Sequence, residues 1–204
     1  MSTVAPTVPA APSMPGRGLL IGGGLVALAV IIGLWFVSVG NRLVAEQEKV
    51  KNAWAQVETV LQRRFDLIPN FVNTVKGYAE HEKSTLEDIT RLRSQWGAAK
   101  SVDEKAEAAS ALEGALSHLL VVSENYPDLK ANQNFRDLQV ELSGTENRVA
   151  VERQRYNEVV RDYNTMVRQF PNSVVASLRG FKTDFAYVEA PKEAQTAPKV
   201  DFSK

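Results

Sequence analysis

Residues 19–39 read LLIGGGLVALAVIIGLWFVSV, an apolar run without a charged side chain. A helix needs about 20 such residues to cross roughly 30 Å of hydrocarbon. Arg17 and Arg42 bracket the run, and Trp35 lies near its end, where aromatic side chains favour the membrane interface. The sequence therefore predicts a transmembrane helix over residues 18–40. A cleaved signal peptide is the alternative, but its apolar core normally spans only about 7 to 15 residues.

The charges beside this segment bear on its orientation. Arg17 precedes the segment, whereas Arg42, Lys49 and Lys51 follow it. Because basic residues are enriched on the cytoplasmic side of a membrane span, this small excess favours a cytoplasmic carboxyl-terminal domain. We therefore expect a single-pass protein of the cell (inner) membrane.

Composition excludes several classes of function. The 24 basic and 24 acidic residues cancel, so the chain lacks the field that draws a protein onto nucleic acid. Without cysteine there is no disulfide, thiolate metal site or cysteine nucleophile. Composition also predicts a disordered Pro/Ala-rich leader over residues 1–17, one folded domain over residues 41–182 and a disordered tail over residues 183–204.

Beyond the anchor, apolar residues recur mostly every three or four positions, which is the pattern of one helical stripe. The stripe consists of Leu43, Val50, Trp54, Val57, Leu61, Phe65, Ile68, Val72, Val75 and Ala79. The anchor helix is thus expected to run directly into the domain. Pro69 lacks a backbone donor, and it predicts a kink or a short break over residues 66–70.

Two shorter helices are predicted next, over residues 85–100 and 102–124. Residues 84–87 and 101–104 both fit the S-x-x-E capping box that begins a helix. A Tyr-Pro-Asp sequence over residues 126–128 predicts the turn that ends the second of them.

The last helix has a seam of coiled-coil type, with alternating spacings of three and four. The seam residues are Phe135, Leu138, Leu142, Thr145, Val149, Glu152, Tyr156, Val159, Tyr163, Met166 and Phe170. A charged residue in a seam should be exposed, paired or functional, and for Glu152 we expect a basic partner. The dipeptide Tyr-Asn occurs at residues 156–157 and again at residues 163–164, seven positions later.

These patterns predict an all-α protein in which the transmembrane helix continues into an antiparallel four-helix bundle with long first and last helices. If the two short helices joined end to end, a three-helix bundle would result instead. The capping box over residues 101–104 favours four helices.

Patterns typical of catalysis or metal binding are absent from the sequence. His81-Glu82 begins like a zinc-protease motif, but Thr85 stands where H-E-x-x-H requires its second histidine. His118 is the only other histidine, and no nucleophile, phosphate loop or carboxylate pair can be picked out. We therefore expect no metal, no cofactor and no enzymatic activity.

Several polar residues of the bundle could form either a buried network or a site for an anion. Guanidinium groups bind phosphate or carboxylate at two points, but buried polar groups on bundle faces usually satisfy one another, which favours the network. The candidates are Arg63, Arg64, Asp66, Lys76, Glu124, Tyr156, Asn157, Tyr163 and Asn164.

The segment after Pro171 has the pattern of a short helix on a membrane surface. Val174, Val175, Leu178 and Phe181 share a helical face, and basic residues nearby can reach anionic headgroups.

Four motifs are recognisable together: RRFDLIPN at residues 63–70, KGYAEHE at 76–82, YPDLKAN at 126–132 and YNEVVRDYN at 156–164. In these motifs the chain resembles the LemA family, and the resemblance covers nearly all of residues 41–181. It implies a single-pass membrane protein of bacteria with a mostly helical domain and no settled biochemical role. It further suggests a place beside membrane metalloproteases in envelope quality control.

Our leading hypothesis is a non-enzymatic, membrane-anchored scaffold or adaptor of the bacterial cell envelope. Its partners would be other envelope proteins, among them a membrane metalloprotease, or further copies of itself in a homo-oligomer. The alternative is a membrane-tethered sensor or binding module that takes a small anionic ligand at Arg63, Arg64 and Lys76.

Overall fold

The computed structural model describes residues 17–189. Within that range the chain forms α1 (Arg17–Lys76), α2 (Lys83–Ala98), α3 (Val102–Ser123), α4 (Pro127–Ala131), α5 (Gln133–Arg168) and α6 (Asn172–Arg179), with a short 3-10 helix at Glu80–Glu82 before α2. No strand occurs in this part of the chain. The all-α prediction is confirmed, and so are the two long helices, which are α1 and α5, although the short α6 follows α5. Most of the expected leader and most of the expected tail lie outside the described residues.

Helix α1 is continuous over 60 residues, about 90 Å at 1.5 Å per residue. Its apolar first part is long and apolar enough to cross a membrane and is not packed inside the protein. The second part contributes the fully buried residues Leu43, Val57 and Phe71 to the core. The break expected at Pro69 is not present, because the helix runs through this residue to Lys76. Packing of the buried side chains on both sides of Pro69 outweighs the loss of one backbone donor.

Helix α5 lies antiparallel to α1. Phe71 stacks on Phe135 near the start of α5, with ring centroids 5.5 Å apart. Farther along α5, Tyr156 meets Trp54 edge to face at 5.6 Å, so residue numbers rise on one helix as they fall on the other. Trp54, expected in the core, is partly buried there.

Helices α2 and α3 form a hairpin beside the half of α1 that is farthest from the apolar segment. The Trp96 ring of α2 packs edge to face on Phe65 at 4.4 Å. Helix α3 is tied to α1 by an ion pair between Lys105 and Glu58. An ion pair between Glu113 and Arg153, at 3.2 Å and nearly buried, joins α3 to α5. Only this far half of the domain therefore contains four helices.

Some of the helices begin where the capping and turn motifs of the sequence predict, and others do not. Ser101 accepts from the Glu104 backbone amide, and the Glu104 carboxylate accepts from the Ser101 amide, so this capping box is confirmed. The box predicted at residues 84–87 is wrong, because α2 already begins at Lys83 without a side-chain cap. The turn predicted at residues 126–128 is the start of α4, with Pro127 in the first helical turn, where its missing donor costs nothing.

The buried face of α5 departs from the predicted seam after Val149. Arg153, Val160 and Val167 are buried, each one residue beyond a predicted seam position. The reason is that an α-helix has 3.6 residues per turn, so a strict 3.5-residue seam drifts around it. Glu152 consequently lies beside the core, where it pairs with Arg155 at 2.6 Å, as expected. Phe170, the last predicted seam residue, is 83% exposed.

The substitution Glu113→Ala should destabilise the domain, because it leaves the Arg153 guanidinium buried without its carboxylate. Breaking a buried ion pair from one side costs about 3 to 5 kcal/mol. The loss should appear as a lower free energy of unfolding in urea for the detergent-solubilised chain. Combining Glu113→Leu with Arg153→Met should recover most of it, since a matched apolar pair leaves no buried charge.

The matched control is Glu141→Ala. Glu141 pairs with Arg63 at 3.6 Å in an exposed position, so its loss should cost at most about 1 kcal/mol. If Glu113→Ala cost no more than this control, the pair would not hold α3 against α5.

Candidate functional site

The structure separates the predicted polar residues into four places, one of which is Glu124 beside Lys130. Arg63, Arg64 and Asp66 lie in the middle of α1. Lys76 lies at the end of α1. The Tyr-Asn repeat of α5 contacts a later segment of the chain rather than any of these residues.

Arg64 is the buried member of the first group, with 4% of its side chain exposed. Its Nη2 lies 3.7 Å from the Glu146 carboxylate, while no acceptor within residues 17–189 reaches its Nε and Nη1. Arg63 is mostly exposed and pairs with Glu141, and Asp66 accepts a 2.8 Å hydrogen bond from Gln62. The pairs of this group thus join α1 to α5, as a structural network would.

Lys76 does not join this group. It follows Arg64 by twelve positions, which is about 18 Å along the helix axis. Glu124 is separate as well, because it pairs with Lys130 of α4. The structure therefore does not bring Arg63, Arg64 and Lys76 together around one ligand.

The Tyr-Asn repeat holds an extended segment, residues 181–189, which we call the strap. The side-chain amide of Asn164 accepts from the Phe185 N–H and donates to the Phe185 carbonyl, both at 2.9 Å. Asn157 makes the same pair of bonds with Val188, again at 2.9 Å. Each asparagine thus binds one residue's backbone at two points.

The two tyrosines of the repeat also bind the strap backbone. The Tyr163 hydroxyl donates to the Lys182 carbonyl at 2.8 Å, and the Tyr156 hydroxyl donates to the Ala186 carbonyl at 3.2 Å. Residues 183–189, expected to belong to a disordered tail, are therefore ordered against α5. The prediction of disorder relied on the low apolar content of the tail. Most of the contacts that hold these residues are hydrogen bonds to their backbone, and amino-acid composition does not predict such bonds.

The spacing of the repeat matches the spacing of an extended chain. Seven residues of helix rise about 10.5 Å, and three residues of extended chain span about 10 Å. Asn157 and Asn164 are seven apart, and their partners Val188 and Phe185 are three apart. Seven residues of helix therefore advance about as far as three residues of the strap. This match explains why two asparagines seven residues apart can bind strap residues that are three apart.

Burial of the repeat shifts the acidity of its hydroxyls. Burial, and secondarily the negative charge of Asp103, raise the pKa of Tyr156 to about 12. Burial also raises the pKa of Tyr163. Both tyrosines therefore keep the protons that they donate to the strap throughout the physiological pH range.

A groove lies at the far end of the domain, between the end of α1 and α2, and we call it the distal groove. Its volume is about 630 Å³, and its lining is Val72, Lys76, Ala79, Lys83, Leu86, Glu87, Thr90, Arg91 and Ser94. Ala79 and Leu86 give it a buried apolar floor. Three cations and one carboxylate stand around this floor, so the lining carries a net charge of 3 − 1 = +2. Sequence reasoning identified only Lys76 here, because the groove exists only once α2 folds back on α1.

The zinc-like sequence at residues 81–82 has a structural role. Glu82 accepts a 3.2 Å hydrogen bond from the Tyr126 hydroxyl, which ties the start of α2 to the start of α4. Among the described residues, no group of three or more histidine, cysteine or acidic side chains could hold a metal ion.

The fold places this chain in the class of all-α proteins in which an exposed apolar segment and part of a helical domain form one continuous helix. The chain belongs to the LemA family, whose family model matches residues 53–202. This match confirms the family resemblance of the sequence motifs. It includes the Tyr-Asn repeat and the strap.

The chain is similar to several curated sequences, among them the following three. Protein LemA of Metamycoplasma hominis is 28% identical over 146 residues, covering 70% of this chain and 66% of that protein. Magnetosome protein MamQ of Magnetospirillum gryphiswaldense is 24% identical over 210 residues, covering 88% and 76%. Magnetosome protein MamQ 2 of Paramagnetospirillum magneticum is 24% identical over 177 residues, covering 74% and 65%. The matches thus span about two thirds to three quarters of each relative.

The substitution Asn164→Ala should release the strap from α5, since it removes both hydrogen bonds to Phe185. At about 1 kcal/mol for each net hydrogen bond, the domain should lose roughly 2 kcal/mol. Hydrogen exchange of residues 181–189 should become at least about tenfold faster, because 1.4 kcal/mol corresponds to a factor of ten. Gln154→Ala is the control, because Gln154 is exposed and, among residues 17–189, its side chain bonds to Glu158 on the same helix rather than to the strap. Equal exchange in both variants would contradict the strap assignment.

The raised pKa of Tyr156 should make the domain lose stability at high pH. The folded protein holds this proton more tightly than the unfolded chain, whose tyrosines titrate near pH 10. The stabilisation is therefore complete below pH 10 and is lost as the pH rises through about 12. Urea midpoints at pH 9 and pH 11.5 should show a smaller drop for Tyr156→Phe than for the parent. Tyr187→Phe, at a half-exposed position, should behave like the parent.

Proposed function

We propose that this chain is a non-enzymatic, membrane-anchored scaffold or adaptor of the bacterial cell envelope. Its distal groove binds an acidic segment of another envelope protein. The LemA family match and the likeness to magnetosome proteins support a membrane-associated envelope protein. The exposed apolar part of α1 supports a single-pass anchor, which we place in the inner membrane with a cytoplasmic domain.

The observation that carries the proposal is the distal groove itself. It combines a buried apolar floor with Lys76, Lys83 and Arg91 around the rim. Lys83 and Arg91 have carboxylate neighbours on α2 itself, Glu87 at 3.7 Å and Asp88 at 3.0 Å, in exposed pairs that a stronger ligand can replace. An apolar floor with a cationic rim suits a peptide that presents both apolar and acidic side chains.

The position of the groove also suits an adaptor. Gly40, at the end of the apolar segment, and Lys76 are 36 residues apart on one helix, which corresponds to about 54 Å. Helix α1 thus holds the groove well away from the membrane that the anchor would cross. A partner with its own membrane anchor could meet it there.

The alternative function, a sensor for a small anion, would use the same groove rather than Arg63 and Arg64. The clustering of Lys76, Lys83 and Arg91 is the observation that favours it. A small anion would contact the cations but leave the apolar floor uncovered. The two functions therefore differ in whether the floor takes part in binding.

The substitutions Lys76→Glu and Lys83→Glu together should abolish partner binding by reversing the rim charge. A photo-crosslinking residue at Thr90 in the full-length chain, in its native membrane, should capture a discrete partner, and the double variant should reduce capture at least tenfold. Lys49→Glu with Lys51→Glu is the control, since those lysines are exposed and belong to the other half of α1.

Two results would contradict the adaptor function. Capture that is equal in the double variant and in the control would remove the groove as the binding site. Stabilisation of the purified chain by inorganic phosphate, lost in the double variant and accompanied by no capture, would favour the sensor.

A further inference from the structure

Helix α6 lies beside the point where the apolar segment of α1 ends. It packs against both α1 and α5 through Val175 and Ala176, which are fully buried. Its last residue, Arg179, extends to α1, where a side chain placed at Gly40 would overlap the guanidinium. The end of the domain nearest the apolar segment is therefore closed by α6, in fixed contact with the helix that would enter the bilayer.

The outer face of this end is apolar as well. Phe170 is 83% exposed, Leu178 is 72% exposed and Val174 is 47% exposed. Val174 and Leu178 are four residues apart on α6, so they share a face, and Phe170 lies two residues before the helix. Single exposed apolar residues are common, but three large ones together on one short segment mark a contact surface.

The exposed apolar face consists of different residues from the face that the sequence predicts. Val175 faces the core, and Phe181 is half-buried, so neither belongs to the outer surface. Phe170 takes their place because α5 ends at Arg168 and leaves this ring outside the core.

The charged residues within the ranges 170–182 and 18–45 are all basic. Arg42, Arg179 and Lys182 are exposed. Residues 170–182 contain no aspartate or glutamate, and neither do residues 18–45. Basic side chains beside exposed apolar residues are the pattern of a segment that lies in the headgroup region of an anionic bilayer.

We propose that Phe170, Val174 and Leu178 insert into the surface of the same anionic bilayer that the anchor crosses, with Arg42, Arg179 and Lys182 on its phosphates. The inference rests on the proposed membrane anchor. The position of the apolar face favours a bilayer as its partner, because the face adjoins the end of a segment that is long and apolar enough to cross a bilayer. Two points of attachment, the anchor and α6, would hold α1 at a fixed tilt and the distal groove at a fixed height.

The test uses fluorescent labels on the full-length chain, which has no native cysteine. Single variants Ser177→Cys on α6, Ser84→Cys on α2 and Val30→Cys in the apolar segment are labelled and reconstituted in vesicles of equal parts phosphatidylglycerol and phosphatidylcholine. Lipids brominated near the headgroup end of their chains serve as quenchers for residues 177 and 84, and lipids brominated near the chain ends, at the bilayer centre, serve for residue 30. We expect at least threefold stronger quenching at residue 177 than at residue 84.

Two further variants test the chemistry of the contact. Phe170→Ser with Leu178→Ser should lower quenching at residue 177 to the value at residue 84, and both residues are exposed, so folding should be preserved. Lys182→Gln, or vesicles of phosphatidylcholine alone, should weaken the quenching at residue 177. Unchanged quenching in the double serine variant would overturn the assignment of the apolar face.

The label at residue 30 distinguishes failure of this inference from failure of the anchor. Quenching at residue 30 with background quenching at residue 177 would overturn the α6 contact and leave the anchor intact. Background quenching at both positions would overturn the anchor and the contact together. If a second copy covered the face, residue 177 would show background bromine quenching and label-to-label self-quenching that dilution in lipid removes, and this result also overturns the proposal.

Discussion

The antiparallel packing of α1 against α5 is the contact on which the rest of the structure depends. Each helix has one apolar stripe, and neither can bury that stripe alone. Phe71 of α1 stacks on Phe135 of α5, and Trp54 of α1 meets Tyr156 of α5 edge to face. Leu61 and Phe65 of α1 and Tyr163 of α5 are also nearly inaccessible to solvent. Burial of one such side chain contributes about 1.5 to 3 kcal/mol, so the pair supplies most of the energy that holds the domain together.

This pairing divides the domain into two unlike halves. Away from the apolar segment, the α2–α3 hairpin covers the sides of α1 and α5 and creates the distal groove. Near the apolar segment, no hairpin is present, and α6 with the strap covers the pair instead. Surfaces for two different environments, a protein partner and a bilayer, can therefore occupy opposite ends of one rigid helix.

The strap shows how a helix can bind a segment of low apolar content. Asn157 and Asn164 bind backbone groups, so most of the strap's own side chains contribute little to recognition. The exceptions include Phe185, which meets Tyr163 edge to face at 5.1 Å, buried Val188, and Asp184, whose carboxylate accepts a 3.2 Å hydrogen bond from Asn164. The strap covers a side of α5 and also supplies partners for the polar atoms of the repeat that it buries. Without those partners, each buried polar group would cost about 1 to 3 kcal/mol.

The sequence by itself determined the helices, the exposed apolar segment, the cap at Ser101 and the family, because periodicity, length and local motifs are properties of neighbouring residues. It also located the Tyr-Asn repeat but suggested the wrong partners for it. Only the tertiary structure decided that the repeat binds the strap, that Lys76 belongs to a groove far from Arg64, and that Phe170 rather than Phe181 is exposed. The physical reason is that a polar side chain can pair with any donor or acceptor within reach, and reach depends on where the chain folds back, a property that no local pattern contains.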